Sequence, residues 1–317
     1  MLDHEKAWDQ LVALYESHYN DHSFIDYFWS YRALVGGLYS ILLAPLPKAD
    51  VYHALSTGYA GLMAARAKIE TGKPVITTEH GIYTNERRIE VATAEWLDAT
   101  SSKALTIDKP RRDLRDMWID SIHNLSRLCY DACDHIVTVY EGNQKSQLED
   151  GAPLEKMQII PNGVDTTRYG RLAHPRRPDP TIALIGRVVP IKDVKTFIRS
   201  VGLLRQTLPD ITAYIMGPTE EDPDYYAECV RLVELMGLER SITFTGQVQI
   251  DEYLPLIDVV VLTSISEAQP LVILEAGAAG IPVVATDVGA IRELLEGITE
   301  EDKALGLGGV VTSLASP

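Results

Sequence analysis

The sequence is poor in cysteine and in cationic side chains. Three cysteines among 317 residues are too few for a disulfide framework, and Cys129 and Cys133 stand four apart, which is a helical spacing and not a Cys-x-x-Cys ligand spacing. We therefore expect buried free thiols in a reducing compartment, the cytoplasm. Lys and Arg number 29 against 45 Asp and Glu, a formal net charge of −16. Nucleic acid and anionic lipid would repel such a chain, so neither is an expected partner.

Several common signatures are also missing. None of the eight histidines stands in a metal-binding spacing such as His-Glu-x-x-His, so we expect no metal ion and no other cofactor. No Gly-x-Gly-x-x-Gly follows a predicted strand, so a nicotinamide-dependent enzyme is the least favoured of the functions considered for this sequence. The longest uncharged apolar run, residues 33–46, is too short to span a bilayer. The chain does not open with a signal-peptide pattern.

Strand and helix patterns alternate along most of the chain, after two helical patterns at its start. This alternation predicts an α/β fold of parallel sheets with helical crossovers. Residues 166–180 are rich in Arg, Pro and Asp and lack periodicity, so we predict a linker there, between a first domain of residues 1–165 and a second of 181–317. The predicted strands are Val51–Ala54, Val75–Glu79, His135–Val139, Gln158–Ile160, Ile182–Ile185, Thr212–Met216, Ile242–Thr245, Val259–Leu262, Pro282–Thr286 and Val310–Val311.

The stretch Val259–Gly289 predicts one complete strand-helix-strand unit. It opens with an apolar β-branched run that is typical of a strand buried on both faces. Ser264, Ser266 and Pro270 then predict the start of a helix, and Gly280 predicts its end before the next strand.

Two glutamates of this unit can face a ligand at the N-terminus of its helix. Glu267 lies in the turn before the predicted helix, and Glu275 lies about two turns further on. Free backbone N–H groups and the helix dipole favour an anion at that place, so phosphate donors and hydroxyl acceptors come together, as a sugar nucleotide requires. The alternative is a first-turn glutamate that complements the dipole and a solvated helix residue. The backbone expected to face the ligand is Ala268, Gln269, Pro270, Leu271 and Val272.

Two other segments follow predicted strands and carry polar side chains. Arg187 and Lys192 come after the first strand of the second half, where a guanidinium and an ammonium can neutralise a diphosphate. They can equally be a basic pair at a helix start. His80 follows the strand Val75–Glu79 directly, at the sheet edge where α/β folds hold ligands. A hydrogen-bonded structural histidine is the alternative.

The sequence resembles the retaining family 4 glycosyltransferases. Their donor-site signature stands here as Ser-Glu-Ala-Gln-Pro (266–270), Leu-Glu-Ala (274–276) and Gly-Ile-Pro-Val-Val (280–284). Residues 186–192 are similar to the diphosphate-binding element of that family, and residues 161–165 to its domain-junction segment. Two departures stand out: Ala268 replaces the usual glycine beside the sugar, and Asp193 replaces a glycine that often follows the lysine.

Residues 79–90, 217–226 and 264–275 narrow the resemblance to PelF-type glycosyltransferases. It implies a GT-B fold, with two Rossmann-like domains facing a cleft, and transfer of a hexose from a UDP-sugar, UDP-glucose or a related one, with retention and without a metal ion. The implied partners are the UDP-sugar, a growing exopolysaccharide as acceptor and a membrane-bound polysaccharide synthase complex.

The resemblance also implies residue roles. Arg187 and Lys192 would hold the diphosphate, Glu275 the ribose and Glu267 the sugar hydroxyls, with His80 near the reacting sugar from the other domain. A GT-B first domain begins with a strand, and closing helices usually follow its last strand. This chain opens with helical patterns and ends soon after its last strand, so we expect an N-terminally incomplete first domain and a donor domain without closing helices. The alternatives are a catalytically silent UDP-sugar-binding or scaffolding fragment, and a GT-B epimerase that needs no acceptor.

Overall fold

The computed structural model describes residues 4–93, 113–172 and 179–317. The chain divides into two compact units, Met1–Ile160 and Pro161–Pro317. In the described residues, no helix is both long and apolar enough to cross a bilayer.

The first unit contains a four-stranded parallel sheet in the order β1-β2-β3-β4. The strands are β1 (Tyr52–Ala54), β2 (Val75–Glu79), β3 (His135–Thr138) and β4 (Met157–Ile159). The helices are α1 (Glu5–Leu14), α2 (Phe24–Leu43), α3 (Gly58–Thr71), α4 (Tyr83–Thr93), α5 (Leu114–Ala132) and α6 (Glu141–Glu149).

Small residues let α3 lie close to α5 in this unit. Ala64, Ala65 and Ala67 of α3 are buried. A Cβ on Gly61 would lie 2.6 Å from the Cβ of Cys129, so only glycine permits this approach. Cys129 and Cys133 are buried free thiols, as predicted.

The second unit contains a six-stranded parallel sheet in the order β10-β9-β8-β5-β6-β7. The strands are β5 (Thr181–Ile185), β6 (Thr212–Met216), β7 (Ile242–Gly246), β8 (Val259–Leu262), β9 (Val283–Thr286) and β10 (Gly309–Thr312). The helices are α7 (Thr166–Tyr169), α8 (Val194–Leu204), α9 (Pro223–Leu235), α10 (Ile250–Tyr253), α11 (Leu271–Ala278), α12 (Ile291–Glu296) and α13 (Glu300–Ala304).

The sheet of the second unit has an apolar core on each face. Along β5, Ile182 and Leu184 enter the core formed with α8 and α9, and Ala183 enters the core that contains Ile273 and Ala276 of α11. Alternate side chains therefore point to opposite faces, as in a doubly wound fold. The strand order reverses between β5 and β8, and such a switch point opens a crevice at the carboxyl ends of the strands.

The predicted start of the central helix was partly wrong. The helix begins at Leu271, after Pro270, and no side chain caps it. Ser264 and Ser266 are therefore not caps, and the Ser264 hydroxyl donates a hydrogen bond to Glu267 instead. The reason is that residues 263–269 form a loop held by bonds to other loops.

Some predicted elements lie partly outside the described residues. The apolar periodicity of the sequence also predicts helices at 86–99 and 110–130. They correspond to α4 and α5 where the structure describes them, and residues 94–112 are outside the described part of the chain. In the predicted linker 166–180, residues 166–169 form α7, and residues 173–178 are outside the described part of the chain.

Asp193 occupies a position that favours glycine. Its φ is +43°, in the left-handed region. Its carboxylate also accepts a hydrogen bond from the backbone N–H of Thr196, 3.3 Å away, at the start of α8. Aspartate tolerates this conformation better than most residues, and it caps the helix, which compensates for the missing glycine.

We expect Asp193→Ala to lower the free energy of unfolding of the second unit by about 1–3 kcal/mol, because it adds left-handed strain and removes the cap. Asp193→Gly should change it by less than about 0.5 kcal/mol, because glycine loses the cap but relieves the strain. Urea unfolding followed by circular dichroism measures the difference. All four tryptophans lie in residues 1–160, so Trp fluorescence, which should not change, monitors the first unit. Equal losses in both variants would contradict this account.

Candidate functional site

Two loops at the switch point of the second unit carry most of the predicted site residues. One follows β5 and contains Arg187 and Lys192, and the other follows β8 and contains Glu267. The structure brings the Lys192 Nζ and the Glu267 Oε1 into a hydrogen-bonded ion pair. The side chains are only 21% and 11% exposed. The sequence predicted both residues for the site but did not predict their contact.

The loop after β8 is held on several sides. The Thr286 hydroxyl donates to the Ser264 carbonyl at 2.6 Å, and the Ile265 N–H donates to the Ile191 carbonyl at 2.8 Å. A Cβ on Gly289 would lie 2.3 Å from the Glu267 carbonyl oxygen, so the loop after β9 can approach only through glycine. These contacts therefore hold the backbone of Glu267 in place.

The replacement of glycine by Ala268 does not strain this backbone. Among the described residues, the non-glycine residues with positive φ are Asp193 and Ala315. Ala268 thus keeps an ordinary conformation, and its carbonyl accepts a 2.7 Å hydrogen bond from the Ala290 N–H.

The backbone between Ala268 and Val272 has donors free for a ligand. In the part of the chain that the structure describes, no protein acceptor bonds the N–H groups of Ala268 and Gln269, nor those of Leu271 and Val272 in the first turn of α11. Helix N-termini with such free donors favour anions.

The segment after the first unit is tied to this loop through Gln269. The Asn162 backbone N–H donates to the Gln269 Oε1 at 2.6 Å, and the Asn162 side chain donates to the Gln269 carbonyl at 2.9 Å. The backbone N–H and the side-chain amide N–H of Asn162 are thus both used to position the loop. The Gln269 side-chain oxygen accepts one of these bonds, and its backbone N–H has no acceptor among the described residues.

Glu275 lies on α11 and pairs with a tyrosine that the sequence did not single out. The Tyr169 hydroxyl donates to the Glu275 Oε1 at 2.9 Å. Burial, and then this bond to a carboxylate, raise the pKa of Tyr169 to about 12. The tyrosine therefore stays a donor and holds one oxygen of Glu275.

Arg187 lies at the exposed side of the site. Its Nη1 donates to the Glu221 Oε1 at 2.5 Å, and both side chains are about half exposed. The acidic loop 220–224 also makes contacts within the protein, because Glu221 pairs with Arg187 and Asp222 caps α9 by accepting from the Tyr225 N–H at 2.9 Å.

His80 lies in the first unit, exposed, immediately after β2. The Asn143 side chain donates to its carbonyl at 2.9 Å. Arg87 of α4 pairs with Glu90. The role of His80 stays a prediction.

The residue before His80 is the center of a buried polar cluster. Glu79 is 1% exposed. Tyr130 and Gln147 donate to its Oε2 at 2.5 and 2.9 Å, and the Thr57 hydroxyl donates to its Oε1 at 3.2 Å. Burial nevertheless raises the pKa of Glu79, because the carboxylate is removed from water and these hydrogen bonds only partly offset that cost.

No group of His, Cys, Asp or Glu in the described residues could hold a metal ion. Arg187 and Lys192 are cations of the candidate site that could neutralise an anionic ligand.

Two family descriptions match the chain. Residues 1–155 match a domain of unknown function, DUF3492, and residues 179–311 match glycosyl transferases group 1. The chain is 34% identical over 163 residues to a D-inositol 3-phosphate glycosyltransferase of Paenarthrobacter aurescens, which covers 47% of this chain and 40% of that protein. It is 26% identical over 232 residues to an MMP alpha-(1->4)-mannosyltransferase of Mycolicibacterium hassiacum, covering 71% of this chain and 51% of that protein. The chain thus spans about half or less of the length of these relatives.

Solved structures share the fold at low sequence identity. Anabaena Alr3699/HepE in complex with UDP has a TM-score of 0.62 and 19% identity, with 90% of this chain and 68% of that chain covered. Sucrose-phosphate synthase from Thermosynechococcus elongatus has a TM-score of 0.58 and 18% identity, with 92% and 64% covered. Together with the two parallel sheets, these similarities confirm the predicted α/β, GT-B fold class.

We expect the raised pKa of Glu79 to make the first unit less stable as pH rises. A carboxyl whose folded pKa exceeds its unfolded pKa favours folding when protonated. The free energy of unfolding is therefore highest below the unfolded pKa and falls by up to about 1.4 kcal/mol per pH unit until the folded pKa is passed. Glu79→Gln should remove this fall. Urea unfolding from pH 4.5 upward, followed by Trp fluorescence, measures it.

The matched control is Glu155→Gln, which removes the same charge from an exposed position. Its pH profile should parallel that of the unmodified chain. A parallel profile for Glu79→Gln as well would show that Glu79 does not cause the pH dependence.

Proposed function

We propose, from the glycosyl transferases group 1 domain in residues 179–311, that this chain is a retaining glycosyltransferase that binds a UDP-sugar at its second unit. The observation that carries the proposal is the Lys192–Glu267 contact at the switch point of the sheet. It joins a cation suited to a diphosphate and a carboxylate suited to sugar hydroxyls in one place, beside free backbone donors.

The cations supply the main chemical contribution in this proposal. Loss of the sugar leaves a nucleoside diphosphate, whose developing charge must be stabilised. Lys192 has three donors and only one is used for Glu267, so it can contact a phosphate without releasing its carboxylate. Arg187 would exchange Glu221 for the diphosphate, at little cost because an exposed ion pair contributes only about 0–1 kcal/mol.

The carboxylates orient the rest of the donor. Glu267 would accept hydrogen bonds from the sugar hydroxyls near the reacting carbon, and Glu275 would accept from the ribose. Each glutamate has one oxygen held by the protein, through Lys192 and Tyr169 respectively. No side-chain nucleophile is needed, because the chemistry proceeds through an oxocarbenium-like transition state with UDP departing.

The finer assignment rests on the resemblance to PelF-type enzymes. It includes UDP-glucose as donor, a growing exopolysaccharide as acceptor, a membrane-bound synthase complex as partner, the cytoplasm as location and His80 as a residue near the reacting sugar. Anabaena HepE, a structural neighbour, has been solved with UDP-glucose, which makes this donor the first to try.

The alternative is a catalytically silent UDP-sugar-binding protein. Release of UDP from UDP-glucose in the presence of oligosaccharide acceptors would support the enzyme. Tight binding without release would support the silent protein.

We expect Arg187→Ala and Lys192→Ala each to weaken UDP binding by about 1–3 kcal/mol, because each removes a charge-assisted contact with the diphosphate. Glu221→Gln should strengthen it by up to about 1 kcal/mol, because Arg187 loses its competing partner. Titration calorimetry with UDP measures all three.

Arg205→Ala is the matched control for these substitutions. This arginine follows α8 and donates to the Gly237 carbonyl, so its loss should leave UDP affinity unchanged. Unchanged affinity in both the Arg187 and the Lys192 variants would remove these residues from the site.

We also expect the two glutamates to differ in what they recognise. Glu275→Gln should weaken UDP and UDP-glucose equally, by about 1–3 kcal/mol, because both ligands contain the ribose. Glu267→Gln should weaken UDP-glucose relative to UDP, because only the sugar nucleotide offers hexose hydroxyls, whereas the loss of the Lys192 partner affects both ligands alike. The same calorimetric titrations decide, and equal effects of Glu267→Gln on the two ligands would refute its assignment to the sugar.

A further inference from the structure

The two oxygens of the Glu267 carboxylate have different surroundings. Oε1 accepts hydrogen bonds from the Lys192 ammonium and from the Ser264 hydroxyl, the latter at 2.6 Å. Within the described residues no hydrogen bond reaches Oε2. One oxygen is thus engaged twice by the protein, and the other is free to accept from a ligand.

Ser264 lies just after the carboxyl end of β8, where its backbone is held in place. It is 2% exposed and lies two residues after the end of β8. Its carbonyl accepts a 2.6 Å hydrogen bond from the Thr286 hydroxyl, at the end of β9. The backbone that carries this hydroxyl is therefore held in place by β8 and β9.

The lysine alone would not define the orientation of this carboxylate. An ammonium on a four-carbon stem acts as a compact point charge with little directional demand. A buried hydroxyl on a fixed backbone adds a directional contact, and two donors on one oxygen limit how far the carboxylate can turn. Lys192 has a second role in the proposed function, because it also contacts the diphosphate. Within the described part of the chain, the Ser264 hydroxyl has only its contact with Glu267.

We propose that Ser264 is a positioning residue for donor-sugar recognition. Its hydroxyl holds Glu267 Oε1 so that Oε2 faces the hydroxyls of the hexose. The inference rests on the proposed function and adds a residue to it. Ser264 contributes to affinity for the sugar part of the donor and not to affinity for the nucleotide.

The test compares UDP with UDP-sugars in titration calorimetry of the whole chain. UDP-glucose, UDP-galactose and UDP-N-acetylglucosamine are first compared with the unmodified chain, and the one that binds most tightly is used afterwards. Ser264→Ala should weaken this UDP-sugar about 5- to 30-fold and change UDP affinity less than about twofold. Ser264→Thr, which restores a hydroxyl, should recover part of the loss.

Ser200→Ala is the matched control, because the Ser200 hydroxyl also makes a hydrogen bond in the second unit, to the Thr196 carbonyl of α8 at 2.8 Å, and this variant should bind both ligands as the unmodified chain does. A purely structural role of Ser264 would weaken UDP and UDP-sugar together, and that result, or no change in either, overturns the inference. Failure of the unmodified chain to bind UDP would instead refute the proposed function itself, and the inference with it. Circular dichroism of each variant shows whether the fold is retained, and Ser264→Thr carries the test if Ser264→Ala does not fold.

Discussion

The contact between Lys192 and Glu267 is the interaction on which the candidate site depends. It joins the loops after β5 and β8 at the place where the strand order reverses. The Thr263 hydroxyl also connects the two loops, because it lies 2.9 Å from the carbonyl oxygens of both Lys192 and Asp193. Both charges are largely sheltered from water, so neither is favourable there without the other. The pair therefore requires both loops to be in place together.

This pairing reconciles an acidic chain with the anionic ligand that we propose for it. A net charge of −16 opposes the approach of a diphosphate at long range, so attraction must be local. The structure concentrates it on two cations that are each paired with a carboxylate, one sheltered and one exposed. The exposed partner, Glu221, can be exchanged for a ligand at low cost. The sheltered partner can stay, because an ammonium has more than one donor.

Sequence patterns predicted the sheet of the second unit better than the contacts of its site. Thr212–Met216 and Val259–Leu262 have the predicted boundaries, because apolar, mostly β-branched runs between turn residues are local signals. The Asn162–Gln269 and Tyr169–Glu275 contacts join residues more than 100 positions apart, and no local periodicity encodes them. The Ser264 error has another origin, because Ser264 and its partner Glu267 are only three positions apart. A serine before a helix resembles a cap, and only the tertiary structure shows that its hydroxyl points to Glu267.

The two departures from the family pattern show when a missing glycine matters. At Ala268 the backbone keeps an ordinary φ, so a side chain there costs nothing in conformation, and any effect must come from the space that its methyl group occupies. At Asp193 the φ of +43° is one that glycine adopts freely, and aspartate is acceptable because its carboxylate also caps a helix. Gly289 cannot take a side chain without displacing backbone, since a Cβ would meet the Glu267 carbonyl. The glycine that protects the geometry of Glu267 therefore lies outside the motif that contains Glu267.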